Sequence, residues 1–579
     1  MNVCLKNPSD MCNRKKVKVA FINPPHADWS LSNNVTYLLC QSYYAHYGKY
    51  PNDVEWLSAP YKWDVYKDAL EVSRLVESAD IIMFSSYAWN YTICDEVSTI
   101  LKQKYSEKIL LLGGPHIGTN EPDFLAQRTQ YDFICQPTKP GETFMMDVID
   151  CYLENRLTAD NVSWELNSKK STTAEFDVDY SIYEEHKNYL VEMVSYARKN
   201  KLEPFVVLET TRGCPYKCVY CEWGGGIGTK IIKKSMDIVK RDILALKDAG
   251  FRDAYLTDAN FGAFEERDLE IFKFAWDNKF NLTDISTLKA KDLKRRIRLI
   301  DSVFEIVGKG SDNLILSEGG AGTDMWGHTD HISVIPSISI QSVSETAMKI
   351  ADRVDLSYDD KISLSQHIRK RCEEEGYSVP AVELILAMPG STLDDFYAEL
   401  EIIWNFKAWG SFRHDYMFLP DSVLNSEEYK KKYNIETVEV YSDILDEDGS
   451  DNWNELYKNK RNYFKTIRSC FSFTADELHE MWFMNNASNY LLQNIYPLLS
   501  HLVTPAEFGR IAFKSINTIE GFQDLYDEVS DIFDPNTPAK SIRKLGGDFR
   551  VNTIERFLDE NNLFLRSDIT RRCLENYDK

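Results

Sequence analysis

Two series of short apolar runs, each closed by a turn-forming loop, most constrain how this chain can fold. Stretches with the composition of helices separate the runs of the first series. That alternation is typical of a doubly wound parallel sheet, whose ligands bind beyond the carboxyl ends of its strands. We therefore expect an α/β domain of the Rossmann-like kind over residues 1–155, with a ligand site on its loops. The runs are VKVAFINPP (17–25), DIIMFSSY (80–87), KILLLGGPH (108–116) and YDFICQPTKPGE (131–142), the last leading into a helix.

The second series begins after a polar segment at 156–200, which is predicted to be a linker or strap. Its five or six strand–helix units favour a barrel or partial barrel, of the (β/α)6 kind, over 201–430, with functional groups at the carboxyl ends of the strands. The strands are predicted in FVVLETT (205–211), DAYLTDANF (253–261), SISIQS (337–342), VELILAMPG (382–390) and HDYMFLP (414–420), with TDISTLKAK (283–291) as a weaker candidate.

The strand pattern fades beyond residue 431, and the remainder, 431–579, is predicted to be a helical domain that closes over the barrel mouth. Two segments carry the helical pattern, ADELHEMWFMNNASNYLLQNIYPLL and NTIERFLDENNLFL. At helical spacing, the aromatic residues of the first segment are more typical of a core than of a substrate pocket. They are Trp482, Phe483, Tyr490 and Tyr496.

The composition is that of a soluble enzyme with an acidic surface. The chain has 579 residues, with 90 acidic against 67 basic side chains and a net charge of −23. Such a field repels phosphate backbones, so we expect no nucleic-acid partner. The sequence has no apolar run long enough for a transmembrane helix and no apolar stretch typical of a secretory signal near its N-terminus. A cytoplasmic location without membrane attachment is therefore expected.

Three of the twelve cysteines are grouped, within TRGCPYKCVYCEWGG at 211–225. Cys214, Cys218 and Cys221 have the spacing C-x3-C-x2-C, which places three thiolates on one loop where they can bind one metal centre. A structural zinc site takes four protein ligands, and a [4Fe–4S] cluster usually does so too. Three cysteines leave one iron open for chemistry. The other nine cysteines are expected to be reduced thiols, most of them buried or inert.

The grouped cysteines resemble the cluster motif of radical S-adenosylmethionine (SAM) enzymes. The resemblance implies that Cys214, Cys218 and Cys221 are the catalytic and metal-binding residues, holding a [4Fe–4S] cluster whose open iron chelates SAM. It also implies that the backbone of Tyr220 lies by the adenine. Reduction of the cluster would cleave SAM to a 5′-deoxyadenosyl radical, which abstracts hydrogen from a substrate. The partial TIM barrel of that superfamily begins just before its cluster loop, in agreement with FVVLETT.

A longer set of motifs resembles class B radical SAM enzymes, in which a cobalamin-binding domain is fused to a radical SAM domain. NPP, SSY, GGPH and a late GE resemble the cobalamin-binding domain. Five further segments resemble, in order, the successive barrel motifs of that group: CEWGGG, LTDANFG, ISIQSVSETAMKIADR, ELILAMPGST and YMFLPDS. The resemblance therefore extends over residues 17–425.

The resemblance implies two sets of cofactor contacts. For SAM they are Tyr220, Glu222, Trp223, Gly224, Asp258, Asn260, Gln341, Ser342, Glu383, Met388 and Leu419. For cobalamin (B12) they are Pro24, Pro25, His26, Ser85, Ser86, Tyr87, Trp89, Gly113, Gly114, Pro115, His116, Gln136, Thr138 and Glu142.

Within the SAM set, the residues are expected in three groups. Asp258 and Asn260 would form a polar strand end facing SAM, and Gln341 with Ser342 would contact the ribose. Glu383 and the turn that starts at Met388 would shape the methionine and adenine side. The alternatives are that Asp258 caps a helix and that Glu383 is exposed.

The chain departs from the resemblance at one point, because it has no D-x-H-x-x-G motif near its N-terminal domain. A histidine below cobalt is therefore not expected. Tyr87 or Trp89 could instead cover the lower face of the corrin, or could simply be core aromatics. His26 and His116 lie on strand-end loops, where a loop hydrogen bond is an alternative to contact with corrin.

The activity implied is methylation of an unactivated carbon in a peptide or small-molecule substrate. A 5′-deoxyadenosyl radical would activate the carbon and methylcobalamin would supply the methyl group, with a flavodoxin- or ferredoxin-type protein as electron donor. The first alternative keeps the cofactors but ends in rearrangement, cyclisation or ring contraction. The second is an iron–sulfur protein that only transfers electrons. A methylthiotransferase acting on RNA is disfavoured, since a second cysteine triplet and a basic tail are missing.

Overall fold

The chain divides into two units, residues 1–172 and 173–579. The structure is a computed structural model that describes residues 16–24, 34–62, 65–66, 68–87, 90–118, 127–135, 140–157, 178–202, 204–222, 231–283, 285, 291–308, 335–336, 338–377, 379–380, 382–407, 412–420, 422–442, 462–516 and 562–577.

The first unit is built on a five-stranded parallel sheet. The strands are β1 Val17–Ile22, β2 Val54–Trp56, β3 Ile81–Ser85, β4 Ile109–Gly113 and β5 Phe133–Ile134. Their order, β2-β1-β3-β4-β5, is that of flavodoxin-like sheets, in which the direction of winding changes between β1 and β3. The predicted α/β class of this unit is confirmed. The short β2 escaped prediction, since VEW is too brief and too polar to form an apolar run.

Helices cover the sheet of the first unit, and they are α1 Val35–Tyr47, α2 Ala69–Leu75, α3 Tyr91–Lys104 and α4 Gly141–Leu153. Strand β3 is buried along its whole length, as expected for a central parallel strand with both faces covered. Helices α1 and α4 pack together, and the Tyr44 hydroxyl on α1 donates a hydrogen bond of 2.9 Å to the Asp150 carboxylate on α4. The packed sheet and helices therefore hold the ends of β1, β3 and β4 in place, and with them the starts of the loops that follow these strands.

Two three-stranded parallel sheets lie in the second unit, in the orders β10-β9-β6 and β11-β12-β13. In both sheets, each strand pairs with the strand that follows it in the predicted series. Consecutive strand–helix units are expected to place their strands side by side in this way. A mixed α/β class with parallel sheets is thus confirmed, whereas the union of both sheets in one partial barrel stays a prediction. The strands here are β6 Val207–Leu208, β7 Thr211–Arg212, β8 Ile232–Lys233, β9 Asp253–Leu256, β10 Asn281–Thr283, β11 Ile338–Gln341, β12 Val382–Leu386 and β13 Phe412–Asp415.

The helices of the second unit follow the strands. They are α5 Ile182–Glu185, α6 Lys187–Lys199, α7 Met236–Ala249, α8 Glu265–Asp277, α9 Leu293–Val307, α10 Glu345–Ile350, α11 Tyr358–Glu375, α12 Leu393–Phe406, α13 Glu427–Lys432, α14 Ala475–Asn494, α15 Tyr496–Leu499, α16 Pro505–Ile516 and α17 Asn562–Tyr577. Among the residues that the structure describes, no helix is long and apolar enough to cross a membrane.

The segment 156–200, predicted to be a linker or strap, is helical in its second half. Helices α5 and α6 form there and pack against α7. Leu190, Val194 and Ala197 are buried at the spacing of one helical face, a signal that the polar residues between them obscured. The division between the units also falls inside this segment, after Thr172.

The prediction of a purely helical segment over 431–579 is wrong at its start. An antiparallel ribbon of β14 Glu436–Ser442 and β15 Asn462–Ser469 precedes the helices. Charged residues interrupt both strands, so no apolar run marks them. The helical prediction holds for α14 and α15, where a capping box of Thr474 and Glu477 starts α14. The four aromatic residues of this segment are buried, which confirms their interpretation as core: Trp482, Phe483, Tyr490 and Tyr496.

Candidate functional site

The cysteine loop follows β6 and β7 directly, at the carboxyl end of the first parallel strand of the second unit. Cys214 and Cys218 are buried and Cys221 is half-buried. None of the three forms a disulfide, and neither do the seven other cysteines that the structure describes. The Cys221 N–H donates to the Cys218 carbonyl at 3.0 Å, so a tight turn brings the second and third cysteines together.

Distant segments hold this loop at Val219, between the second and third cysteines. The Val219 N–H donates to the Ala351 carbonyl at 3.0 Å, and the Leu424 N–H donates to the Val219 carbonyl, also at 3.0 Å. Both backbone groups of one residue are thereby bound to other parts of the unit. The loop is fixed by the fold of the unit rather than by its own sequence.

Asp258 fixes the start of the loop. Its carboxylate accepts hydrogen bonds from the N–H groups of Thr210 and Thr211, at 2.7 and 2.9 Å, and from the Thr210 hydroxyl. Burial raises the pKa of the Asp258 carboxyl to about 6, although these hydrogen bonds oppose the shift. These three hydrogen bonds come from Thr210 and Thr211 and not from a helix, so they do not form the helix cap considered for Asp258. Its predicted contact with SAM stays a prediction.

The raised pKa of Asp258 makes stability depend on pH. The folded chain holds this proton more tightly than the unfolded chain, so the stabilisation is full below the ordinary pKa of aspartate and is lost as pH rises through about 6. We expect Asp258→Asn to reduce the loss of unfolding free energy between about pH 5 and pH 7.5 by about 1 kcal/mol. Urea unfolding of both proteins at each pH measures this, and identical pH profiles would contradict it.

Asn260 lies beside the first cysteine, four residues beyond the end of β9. Its Nδ2 is 3.2 Å from the Sγ of Cys214, and the side chain is buried. The structure thus brings together two residues that the motifs predicted to share one site.

Tyr220 is bound to a buried cationic network that the sequence did not reveal. Arg353 donates from Nη1 to the Tyr220 hydroxyl at 3.0 Å and from Nη2 to the Ser339 carbonyl. Burial raises the pKa of Tyr220, so the hydroxyl stays protonated. Tyr220 and Arg353 are far apart in the sequence, and only the fold makes them neighbours.

Three buried cations of this network share one carboxylate, Asp355. Its oxygens lie 2.7 Å from Arg296 Nη2, 3.5 Å from Arg353 Nε and 3.6 Å from Lys361 Nζ. Buried Glu399 is a second carboxylate near Lys361. Among these described residues the cations exceed the carboxylates by one, and Arg353 interacts electrostatically with Cys218. The network therefore favours negative charge at the cysteine loop.

These features fit an iron–sulfur cluster. In the described part of the chain, no three His, Cys, Asp or Glu side chains group closely enough for a single metal ion. A cubane cluster does not require this, since each cysteine binds a different iron. Cysteines without disulfides, a donor to Cys214 and neighbouring buried cations are the surroundings that an anionic, thiolate-bound cluster requires.

A second candidate site lies at the carboxyl edge of the first unit's sheet, where Asn90 joins two loops. Its Nδ2 donates to the Pro24 carbonyl at 3.1 Å and to the Ser85 carbonyl at 3.2 Å, while its Oδ1 accepts from the Tyr87 N–H at 2.7 Å. Asn90 is fully buried. The motifs missed this residue, because an asparagine in a loop carries no pattern of its own.

Gly114 and His116 follow β4 at the same edge. Gly114 has a φ of +98°, and the His116 N–H donates to the Ser86 carbonyl at 3.0 Å. The His116 ring stacks on Tyr91, with 4.5 Å between the ring centroids. Burial, together with the charge of Arg128, lowers the pKa of His116 to about 3, so the imidazole is neutral.

Similarity to known proteins was found at the level of sequence, although no family model matches the chain. One relative is the cobalamin-dependent radical SAM methyltransferase TokK of Streptomyces tokunonensis, 22% identical over 376 residues, which are 64% of this chain and 51% of TokK. Another is the 2-(S-pantetheinyl)-carbapenam-3-carboxylate methyltransferase of Streptantibioticus cattleyicolor, 22% identical over 378 residues, with the same coverage. The chain spans about half the length of the curated relatives it matches.

Solved structures with the same fold were also found. One is the radical SAM methyltransferase TsrM of Kitasatospora setae with cobalamin and a [4Fe–4S] cluster bound, at a TM-score of 0.51 and 13% identity, covering 90% of this chain and 98% of TsrM. The chain is similar to cobalamin-dependent radical SAM enzymes. OxsB, a cobalamin-dependent SAM radical enzyme, has a TM-score of 0.51 and 13% identity, covering 97% of this chain and 84% of OxsB. The resemblance predicted from the motifs is confirmed, and the structures show a shared fold.

Two of the residues predicted to contact SAM form hydrogen bonds with other side chains of the protein. The Ser342 hydroxyl donates to Glu399 at 3.1 Å, and Glu383 accepts a hydrogen bond from Ser339. Gln341 is buried at a positive φ of 65°, where β11 shifts its register against β12, and such strain is typical of functional sites. Met388 is buried and Leu419 half-buried. Ser342 and Glu383 as SAM contacts stay predictions.

The cobalamin contacts expected from the similarity share one edge of the first sheet where they are described. Ser85 and Ser86 are buried, Gly114 and Pro115 are exposed, and Glu142 is buried in the first turn of α4. Some of the predicted contacts lie outside the described residues: Pro25, His26, Trp89, Gln136 and Thr138 on the cobalamin side, and Trp223 and Gly224 on the SAM side.

Proposed function

We propose that the chain is a cobalamin-dependent radical SAM methyltransferase that methylates an unactivated carbon of a peptide or small molecule. The observation that carries the proposal is the cysteine loop, which holds Cys214, Cys218 and Cys221 without disulfides at the carboxyl end of a parallel strand. The names of TokK, the carbapenam enzyme and TsrM as methyltransferases support methylation over rearrangement.

The proposed layout assigns 1–155 to cobalamin binding, 201–430 to a partial barrel and 431–579 to a substrate-associated domain. The two parallel sheets of the second unit, each with its strands in series order, support a six-stranded partial barrel that runs from β6 to β13. An acidic exterior agrees with a non-nucleic-acid substrate.

When bound, the cluster, SAM and cobalamin would supply the radical and the methyl group. The chain itself would orient and shield them. The three cysteines would hold the cluster, with Val219 and Asp258 fixing the loop that carries them. Tyr220 would be held by Arg353 for its predicted place beside the adenine. Asn90 and Gly114 would shape the edge on which cobalamin lies. A flavodoxin- or ferredoxin-type protein of the cytoplasm would supply electrons.

The test is anaerobic reconstitution of the full chain with iron, sulfide and hydroxocobalamin, followed by SAM and a strong reductant. We expect bound iron, stoichiometric cobalamin by absorbance, and 5′-deoxyadenosine by mass spectrometry. The variant Cys214→Ala/Cys218→Ala/Cys221→Ala should lose the cluster and all SAM cleavage but keep its cobalamin, because the cysteines lie in the second unit and the proposed cobalamin site in the first.

Each remaining outcome selects a different conclusion. A product heavier than its substrate by one CH2 supports methylation, whereas loss of hydrogen or unchanged mass supports the rearranging alternative. If the chain cleaves SAM but binds no cobalamin, only the assignment of the first unit to cobalamin binding would be rejected. An assembled cluster that leaves SAM intact with every candidate substrate would reject the enzymatic proposal.

A further inference from the structure

Asn260 is placed to act on the cysteine loop from a neighbouring strand. The Asn260 carbonyl accepts a hydrogen bond of 3.1 Å from the Ala263 N–H, which fixes its backbone in a turn after β9. From there its Nδ2 lies 3.2 Å from Cys214 Sγ. Both side chains are buried, so water does not compete for this contact.

The other end of the same amide lacks a partner. In the described part of the chain, the Oδ1 of Asn260 is a buried oxygen with no hydrogen bond. Leaving a buried acceptor unsatisfied is unfavourable, because the oxygen has lost its hydrogen bonds to water. A thiolate bound to iron has no proton and accepts only, so the amide must turn its N–H towards Cys214. The Oδ1 is then left for a donor on a ligand bound beside the loop, in accord with the SAM contact predicted for Asn260.

We propose that Asn260 is a positioning residue that raises the reduction potential of the cluster through an N–H···S hydrogen bond to Cys214. The inference rests on the proposed function, because it requires the cluster. A hydrogen bond donated to a ligand thiolate withdraws electron density from it, and the reduced cluster carries one more negative charge than the oxidised cluster. The bond therefore stabilises the reduced state more, and hydrogen bonds to sulfur are a recognised control of cluster potential.

The test is a redox titration of the reconstituted full chain, followed by electron paramagnetic resonance without substrate. Asn260→Leu removes the N–H at similar volume. At a fixed potential, we expect its ratio of reduced to oxidised cluster to fall about tenfold, a shift of about 59 mV to more negative potential for one electron. Asn260→Asp should shift further, because a carboxylate would repel the thiolate.

Asn281→Leu is the matched control. Asn281 is buried too, but it starts β10 and pairs with Asp253 at the amino end of the neighbouring strand, away from the turn that carries Asn260. Its potential should equal that of the unmodified chain. If Asn260→Leu fails to assemble the cluster, Asn260→Asp, which keeps the shape of the side chain, decides by the same titration.

Three outcomes would count against the inference. Unshifted potentials in Asn260 variants that carry a full complement of iron overturn it and leave the proposed function standing. An equal shift in Asn281→Leu also overturns it, since the effect would then be a general one of altered packing. Failure of the unmodified chain to form any cluster overturns the inference and the proposed function together.

Discussion

Gly114→Ala lowers the free energy of unfolding of the first unit by about 2–5 kcal/mol, the sum of a left-handed backbone for alanine and an overpacked contact. Gly114 has a φ of +98°. A Cβ on this residue would lie 2.4 Å from the carbonyl oxygen of Ser86 and 2.6 Å from the backbone nitrogen of Ser86. Both are backbone atoms, so the loop after β3 would have to move. We expect the variant to lose its cobalamin during gel filtration, as measured by absorbance.

Gly113→Ala is the control for this change. It is the preceding residue, and a Cβ there would come no closer than 3.8 Å, to the Phe84 carbonyl oxygen. Alanine in this extended position should change stability by less than about 1 kcal/mol. Urea unfolding followed by circular dichroism compares the two variants. Equal retention of cobalamin by both would show that the edge at Gly114 is not where the cofactor binds.

Asp355→Asn destabilises the second unit by about 3–5 kcal/mol, because it removes one partner of a buried ionic network. Arg296, Arg353 and Lys361 would lose the carboxylate they share. Burial raises the pKa of Asp355, but the three cations more than offset this, so the group is ionised at neutral pH. Urea unfolding measures the loss. Iron content after reconstitution should fall with it, since Arg353 also holds Tyr220.

The defect of Asp355→Asn should shrink as pH rises. Burial lowers the pKa of Lys361 and Asp355 opposes that shift, so loss of the carboxylate lowers this pKa further in the variant. The folded variant therefore releases the Lys361 proton at a lower pH than the folded unmodified chain does, and it regains stability relative to that chain as pH rises towards the ordinary pKa of lysine. Asp352→Asn is the matched control, because Asp352 is exposed and has a φ of 50°, which asparagine adopts easily. A pH-independent defect would mean that lost packing, and not charge, causes it.

The sequence predicted the cysteine loop and most of the strands because both are local. The C-x3-C-x2-C spacing indicates a metal-binding loop within eight residues, and a buried parallel strand is an uninterrupted apolar run. Short or charged strands carry no such signal, so β2, β14 and β15 were missed. Helix α6 was missed for a related reason, since its buried face is narrow and its other residues resemble those of a linker.

The contacts around the loop could not be predicted, because each joins positions far apart in the sequence. The family resemblance selected Asp258 and Asn260 at the end of a strand, yet their bonds to Thr210 and Cys214 required the fold. Arg353 lies inside a quoted motif, but nothing local indicates that its partner is Tyr220. Buried ionic networks depend on which side chains the packing brings together, which is a property of the whole unit.

Synthesis of the chain imposes an order on its maturation. The two backbone hydrogen bonds of Val219 can form only when Ala351 and Leu424 have been made, and Leu424 follows about 200 residues later in the chain. At ribosomal rates of about 5–20 residues per second, the cysteine loop therefore waits for tens of seconds without its two anchors. A cluster on this loop, as proposed, would therefore reach its final surroundings only after Leu424 has been made.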